Sequence, residues 1–175
     1  MCGLLLAGCT SKRIAVSTFD SYRGLVMAGY QGWFNAEGDS ENRGFYHYTG
    51  RNGFRPGSAT VDMWPDVSEY EKSYPTEFRM ADGSAARVFS SSDASTVDTH
   101  FRWMKEYGLD GVFMQRFVVE IKGKSGRSHF NKVLSSAMDA AKKYGRAICV
   151  MYDLSGMRPE DSEILLADIK EVADG

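Results

Sequence analysis

Three short apolar runs, spaced by helical patterns, constrain this chain more than any other feature. They are Leu25–Tyr30, Gly111–Met114 and Ala147–Met151, and they lead into Gln31-Gly32-Trp33, Gln115-Arg116 and Tyr152-Asp153. A strand covered on both faces reads as a continuous apolar run, which is the signature of a parallel sheet. Polar and aromatic groups gathered at the carboxyl ends of such strands mark the functional face of an α/β barrel or open sheet.

Helical patterns fill the gaps. Val97, Phe101 and Met104 fall at i, i+4 and i+7, Ser95 with Asp98 resembles a capping box, and Gly108-Leu109 suits a Schellman end. A second helix is expected from about Phe130 to Tyr144, with Leu134, Ala137, Met138 and Ala141 on one face and Gly145 ending it. A third starts near Pro159-Glu160, with Leu165, Ile169 and Val172 as its stripe. Between the first run and the first helix lies a long insertion, Asn35 to about Ser92, whose first half is rich in glycine turns. Asp82-Gly83 between strand-like segments predicts a hairpin in its second half. The order predicts an α/β fold: a partial TIM-type (β/α) barrel made of its first three βα units, with a long aromatic-rich loop and hairpin after strand 1. A closed barrel needs about 250 residues, and this chain has 175, so further sequence beyond Gly175 is expected.

Net charge is -2 and no run of five like charges occurs, so nothing suggests a nucleic-acid partner. The three cysteines fit neither a zinc site nor a disulfide framework, and Cys149 reads as a buried thiol within a strand. His47, His100 and His129 are far apart in sequence, and no phosphate loop or Gly-x-Ser-x-Gly elbow occurs, so no metal or cofactor is expected. Leu4-Leu5-Leu6-Ala7-Gly8-Cys9 resembles the end of a bacterial lipoprotein signal, although no basic residue precedes it. The chain therefore divides into a signal remnant (1–9), a polar linker (10–24) and a barrel segment (25–175). A lipid anchor at Cys9 would be its one membrane contact, placing it at the bacterial cell envelope or outside the cell.

The strand ends carry the chemistry. Gln31, Trp33, Asn35, Gln115, Arg116, Tyr152 and Asp153 are expected at one rim. Planar amide and charged groups bind hydroxyls bidentately, and an aromatic face covers the apolar side of a sugar ring. A buried arginine needs a partner, so an Arg116–Asp153 pair would serve equally as scaffold. In the loop, Phe45, Tyr46, His47, Tyr48, Phe54, Trp64, Tyr70 and Tyr74 are either stacking platforms or packing for the loop. Asp62 and Asp66 flank Trp64 and either meet hydroxyls or, for Asp66, cap a short helix at Val67–Tyr70. Lys122–Arg127 reads as a solvated basic loop.

Gly29-Tyr30-Gln31-Gly32-Trp33-Phe34-Asn35, Asp62-Met63-Trp64-Pro65-Asp66, Tyr74-Pro75-Thr76-Glu77-Phe78 and Gly108–Phe117 resemble bacterial secreted proteins called glycoside hydrolase family 71/99-like. The resemblance implies a TIM-type barrel acting on α-linked polysaccharide: α-mannoside in family 99, α-1,3-glucan in family 71. It implies no catalytic residue here, because the family 99 acid/base pair lies in a later glutamate motif that this chain lacks. Gln115-Arg116 also departs from the aromatic residues of family 99 at that strand end. The expected sugar contacts are Gln31, Trp33, Gln115, Arg116 and Asp153, supported by Tyr30 and Trp64. A pairing of Asp153 with Asp62 or Asp66 as the two carboxylates of glycoside hydrolysis has little support. The rival readings are a non-catalytic carbohydrate-binding surface lipoprotein and an unrelated barrel esterase or lyase.

Overall fold

All three predicted strands form, and they lie side by side in parallel. The computed structural model describes residues 19–174; the signal remnant and most of the linker lie outside them. The elements are β1 (Met27–Tyr30), β2 (Tyr74–Arg79), β3 (Ala85–Val88), α1 (Ala94–Glu106), β4 (Gly111–Phe117), α2 (Val118–Ile121), α3 (Lys124–Tyr144), β5 (Ala147–Asp153) and α4 (Ser162–Asp174). The main sheet runs β1-β4-β5, and β2-β3 form a separate antiparallel hairpin. This is a mixed α/β fold whose sheet is open.

Register assigns the faces, because residues directly paired across strands point to the same side. Ala28, Val112 and Ile148 share one face with Tyr30, Met114 and Val150, and with Arg116 and Tyr152 beyond them. That face packs on the helices: Val112 and Met114 join Val97, Phe101, Met104, Val133, Ala137 and Ala141 in the main core. Gly111 allows the close approach of β4 to β5, since a Cβ there would stand 2.1 Å from the Ala147 carbonyl oxygen. The other face carries Phe113, Gln115, Phe117, Cys149, Met151 and Asp153, all partly or largely exposed. The apolar runs thus predicted burial on both faces, whereas all the helices lie on one. Tyr22, at the end of the linker, packs over Phe113 on the open face at 5.9 Å.

Several local expectations are corrected. Helix α1 begins at Ala94 after Asp93, with no side-chain cap. Asp93 instead accepts from Tyr74, and Asp98 from Lys143 and Tyr144, so tertiary partners outcompete the capping box. The Schellman end does form, with Leu109 N–H donating to the Met104 carbonyl at 2.8 Å. Helix α3 starts six residues before Phe130, at Lys124, and the expected basic loop Lys122–Arg127 is the two-residue junction after α2 followed by the first turn of α3. Gly126 makes that junction possible, because a Cβ there would lie 2.1 Å from the Glu120 carbonyl oxygen. Asp66 turns the chain by accepting from Ser68 N–H, and no helix follows. On α4 only Asp168 is buried, and Leu166 and Ile169 of its apolar side stay exposed.

The expected Arg116–Asp153 pair does not exist. Arg116 points to the helix side, where Nε and Nη2 donate to Asp168 at 2.5 and 2.7 Å and Nη2 also to Asn131 at 2.6 Å. Tyr152 donates to the same carboxylate at 2.8 Å. Burial opposes ionisation of Asp168, but Arg116 and Tyr152 outweigh it and hold its carboxyl below the usual range. With Arg116 2% and Asp168 0% exposed, removing one partner strands the other's charge. Asp168→Ala is expected to lower the unfolding free energy by about 3–5 kcal/mol in urea denaturation, and adding Arg116→Met should recover part of the loss. A loss under about 1 kcal/mol would contradict this role.

His100 of α1 ties β1 to the loop: its Nδ1 meets the Tyr30 hydroxyl at 2.8 Å and its Nε2 the Tyr70 hydroxyl at 2.6 Å. Burial pushes it from the ordinary 6.5 down to about 4. The unfolded chain therefore binds a proton that the folded one refuses between those values. The stability is complete above about pH 6.5 and is lost as pH falls toward 4, by about 3 kcal/mol. His100→Gln should flatten the rise of unfolding free energy between pH 4.5 and 6.5; an unchanged slope would refute this assignment.

Candidate functional site

The chain leaves β1 through Gly32, whose backbone is left-handed (φ 57°). A Cβ there would stand 2.7 Å from Val133 Cγ1 on α3, so only glycine fits without a shift. His129 Nε2–H donates to the Gly32 carbonyl at 2.8 Å, which leaves Nδ1 to accept from Asn35 Nδ2 at 3.1 Å. Burial lowers the affinity of His129 for a second proton. The other Asn35 amide hydrogen goes to Asp39 Oδ2 at 3.0 Å. Asp39 also accepts from Ser90 Oγ and from the Ala36, Glu41 and Asn42 amides. Burial opposes its ionisation, yet these bonds prevail and keep its carboxyl below the usual range.

That network fixes the start of the long loop against α3, and the loop folds onto a small core of its own. Tyr48, Ala36 and Val88 are buried there among Phe34, Phe45, Phe54, Val61, Trp64 and Tyr74. Trp64 belongs to this packing: its Nε1–H donates to the Arg87 carbonyl at 2.8 Å, and its ring meets Phe54 and Phe78. Of the expected supporting residues, Trp64 therefore stabilises the hairpin, and Tyr30 belongs to the helix-side core.

Within the loop that follows β1 lies a cleft of about 580 Å³, lined by Trp33, Phe34, Arg43, Tyr46, His47 and Thr60 among others. Trp33 stacks with His47 at 4.2 Å and with Phe117 of β4 at 5.4 Å. Its ring faces are thus engaged by other rings, and it serves as a wall rather than a free platform. Its indole N–H, unlike those of Trp64 and Trp103, has no partner among the described residues. Arg43 donates to Glu120 Oε2 at 2.6 Å and lies 3.9 Å over the Tyr46 ring, while Tyr46 donates to Glu120 Oε1 at 2.6 Å. The charges at the cleft are mutually neutralised, and the walls are ring surfaces with hydroxyl and imidazole edges.

The remaining rim residues divide by strand parity. Gln115 and Asp153 share the open face, with Gln115 Nε2 donating to Asp153 Oδ2 at 2.5 Å. Asp153 also accepts from Ser155, and these bonds hold its carboxyl below the usual range. Gln31 is exposed at the β1 exit. Arg116 is absent from the rim, since residues adjacent along a strand face opposite ways. Glu120, Arg43, Tyr46 and His47 join the site from positions the strand-end reasoning passed over. Glu120 lies only three residues beyond β4, the one signal that pointed to it.

Among the described residues no group of three or more His, Cys, Asp or Glu is placed to hold a metal, and no helix is long and apolar enough to cross a membrane. No family model, curated protein or solved structure matches the chain. Gly32→Ala is expected to cost about 1–3 kcal/mol through positive φ and overpacking. Val133→Ala in the same chain should relieve only the steric part, as judged by denaturation midpoints; full stability of the single variant would contradict the left-handed, closely packed Gly32.

Proposed function

We propose that this chain supplies the sugar-binding part of a glycoside hydrolase acting on α-linked polysaccharide such as an α-mannan or α-glucan, built on the first βα units of a TIM-type barrel. The observation that carries this reading is the ring-walled cleft in the loop just beyond β1, whose Trp33 stacks on Phe117 at the end of β4 and whose Arg43 is already paired with Glu120. Apolar walls with a few fixed polar groups suit the mixed surface of a neutral sugar. The consecutive parallel order β1-β4-β5, with helices on one face, supports the barrel architecture.

A second reading, a non-catalytic carbohydrate-binding surface lipoprotein, is favoured by one specific observation. Both carboxylates near the rim are committed: Glu120 to Arg43 and Tyr46, Asp153 to Gln115 and Ser155. The Asp153 carboxyl, held low by these bonds, is poorly suited as a general acid at neutral pH.

Titration calorimetry with α-manno- and α-1,3-gluco-oligosaccharides tests the shared claim. Trp33→Ala should weaken binding at least tenfold, about 1.4 kcal/mol, with the far-ultraviolet circular dichroism unchanged. Release of reducing ends then separates hydrolase from binder. Failure of the parent protein to bind any of these sugars would exclude both readings.

A further inference from the structure

Histidine 47 is the most constrained and least explained residue of the cleft. Its backbone is left-handed, with φ 62°, and Asn42 is the other non-glycine residue with positive φ among those described. Asparagine tolerates that region through local hydrogen bonding, whereas for histidine it is a strained choice that the surroundings must enforce. They do so: Thr60 Oγ1 donates to the His47 carbonyl, and Thr60 N–H donates to the Tyr48 carbonyl at 3.1 Å. The ring is fixed as firmly, parallel to Trp33 at 4.2 Å and 13° and edge-on to Tyr46 at 4.8 Å.

What this arrangement leaves free is informative. The other two histidines spend both ring nitrogens inside the fold, His100 on two tyrosines and His129 on Gly32 and Asn35. Neither nitrogen of His47 has a partner among the described residues, and the ring lines the cleft. A structural histidine would use its nitrogens, and glycine would meet the backbone requirement without strain.

We propose that His47 is a ligand-binding residue of the cleft, its imidazole edge hydrogen-bonding a hydroxyl of the bound sugar. This rests on the sugar-binding reading above. A neutral imidazole offers one donor and one acceptor, which matches a hydroxyl that both gives and takes. Burial favours that neutral form; Glu120 on α2 opposes it and Arg43 of the loop reinforces it. Tyr46, the remaining titratable neighbour, is itself pushed up by burial and its bond to Glu120. Protonation would remove the acceptor and weaken binding on the acid side.

The test compares the parent protein with His47→Phe, which keeps a stacked ring without nitrogens, and His47→Asn, which suits the left-handed backbone. The probe is the α-linked oligosaccharide that the parent binds best. His47→Phe should bind at least tenfold more weakly at pH 7. The parent's affinity should fall as pH drops below the ordinary histidine range, and His47→Asn should lose that acid-side fall. Parent-like affinity of His47→Phe, or an acid-side fall persisting in His47→Asn, would overturn the assignment even if Trp33→Ala abolishes binding. If His47→Phe does not fold, the two pH profiles decide alone. If the parent binds none of the sugars, this inference falls together with the functional reading.

Discussion

The cleft depends on the buried hydrogen-bond network that receives the chain as it leaves β1. Asn35 stands between His129 and Asp39 and uses both amide hydrogens on them, while His129 clasps the Gly32 carbonyl. Each buried polar group left without its partner would cost about 1–3 kcal/mol, so the members stand or fall together. Its effect is positional. It pins Gly32 to α3, places Trp33 beside Phe117, and sends the loop back so that Arg43 reaches Glu120, 77 residues later in the chain. The aromatic walls are a consequence of this arrangement.

Strand parity separates scaffold from site. On β4, Met114 and Arg116 face the helices, and Gln115 and Phe117 face the open side. The helix side solves the problem of a charge inside a core, with Arg116 held by Asp168, Asn131 and, through the shared carboxylate, Tyr152. The open side keeps its polar groups near solvent, where Gln115 and Asp153 form a shallow pair. One strand thus supplies the buried core with one set of alternate residues and the open face with the other.

Much of the framework was legible because it is local. The apolar runs marked the three parallel strands, the Val97–Phe101–Met104 spacing marked α1, and Asp82-Gly83 marked the hairpin. Arg116 was misplaced although the information was present, since neighbours in a strand cannot share a face with Asp153's partner Gln115. The start of α3 was hidden for a different reason. Gly123 and Gly126 read as breakers, yet Gly126 is there to let α3 approach Glu120. Arg43, Tyr46, His47 and Glu120 were not recognisable as a group, because nothing local in the sequence connects a loop with a helix so far along the chain. Only the fold brings them to one wall.

The cleft's central claim is most directly tested by the indole N–H resonances of the three tryptophans during titration with an α-linked oligosaccharide. Trp64 donates to the Arg87 carbonyl and Trp103 to Glu69, whereas the Trp33 indole N–H, at the cleft, has no partner among the described residues. A shift confined to Trp33 is the predicted result. Movement of Trp64 or Trp103 with Trp33 unmoved would place the sugar elsewhere and contradict the account.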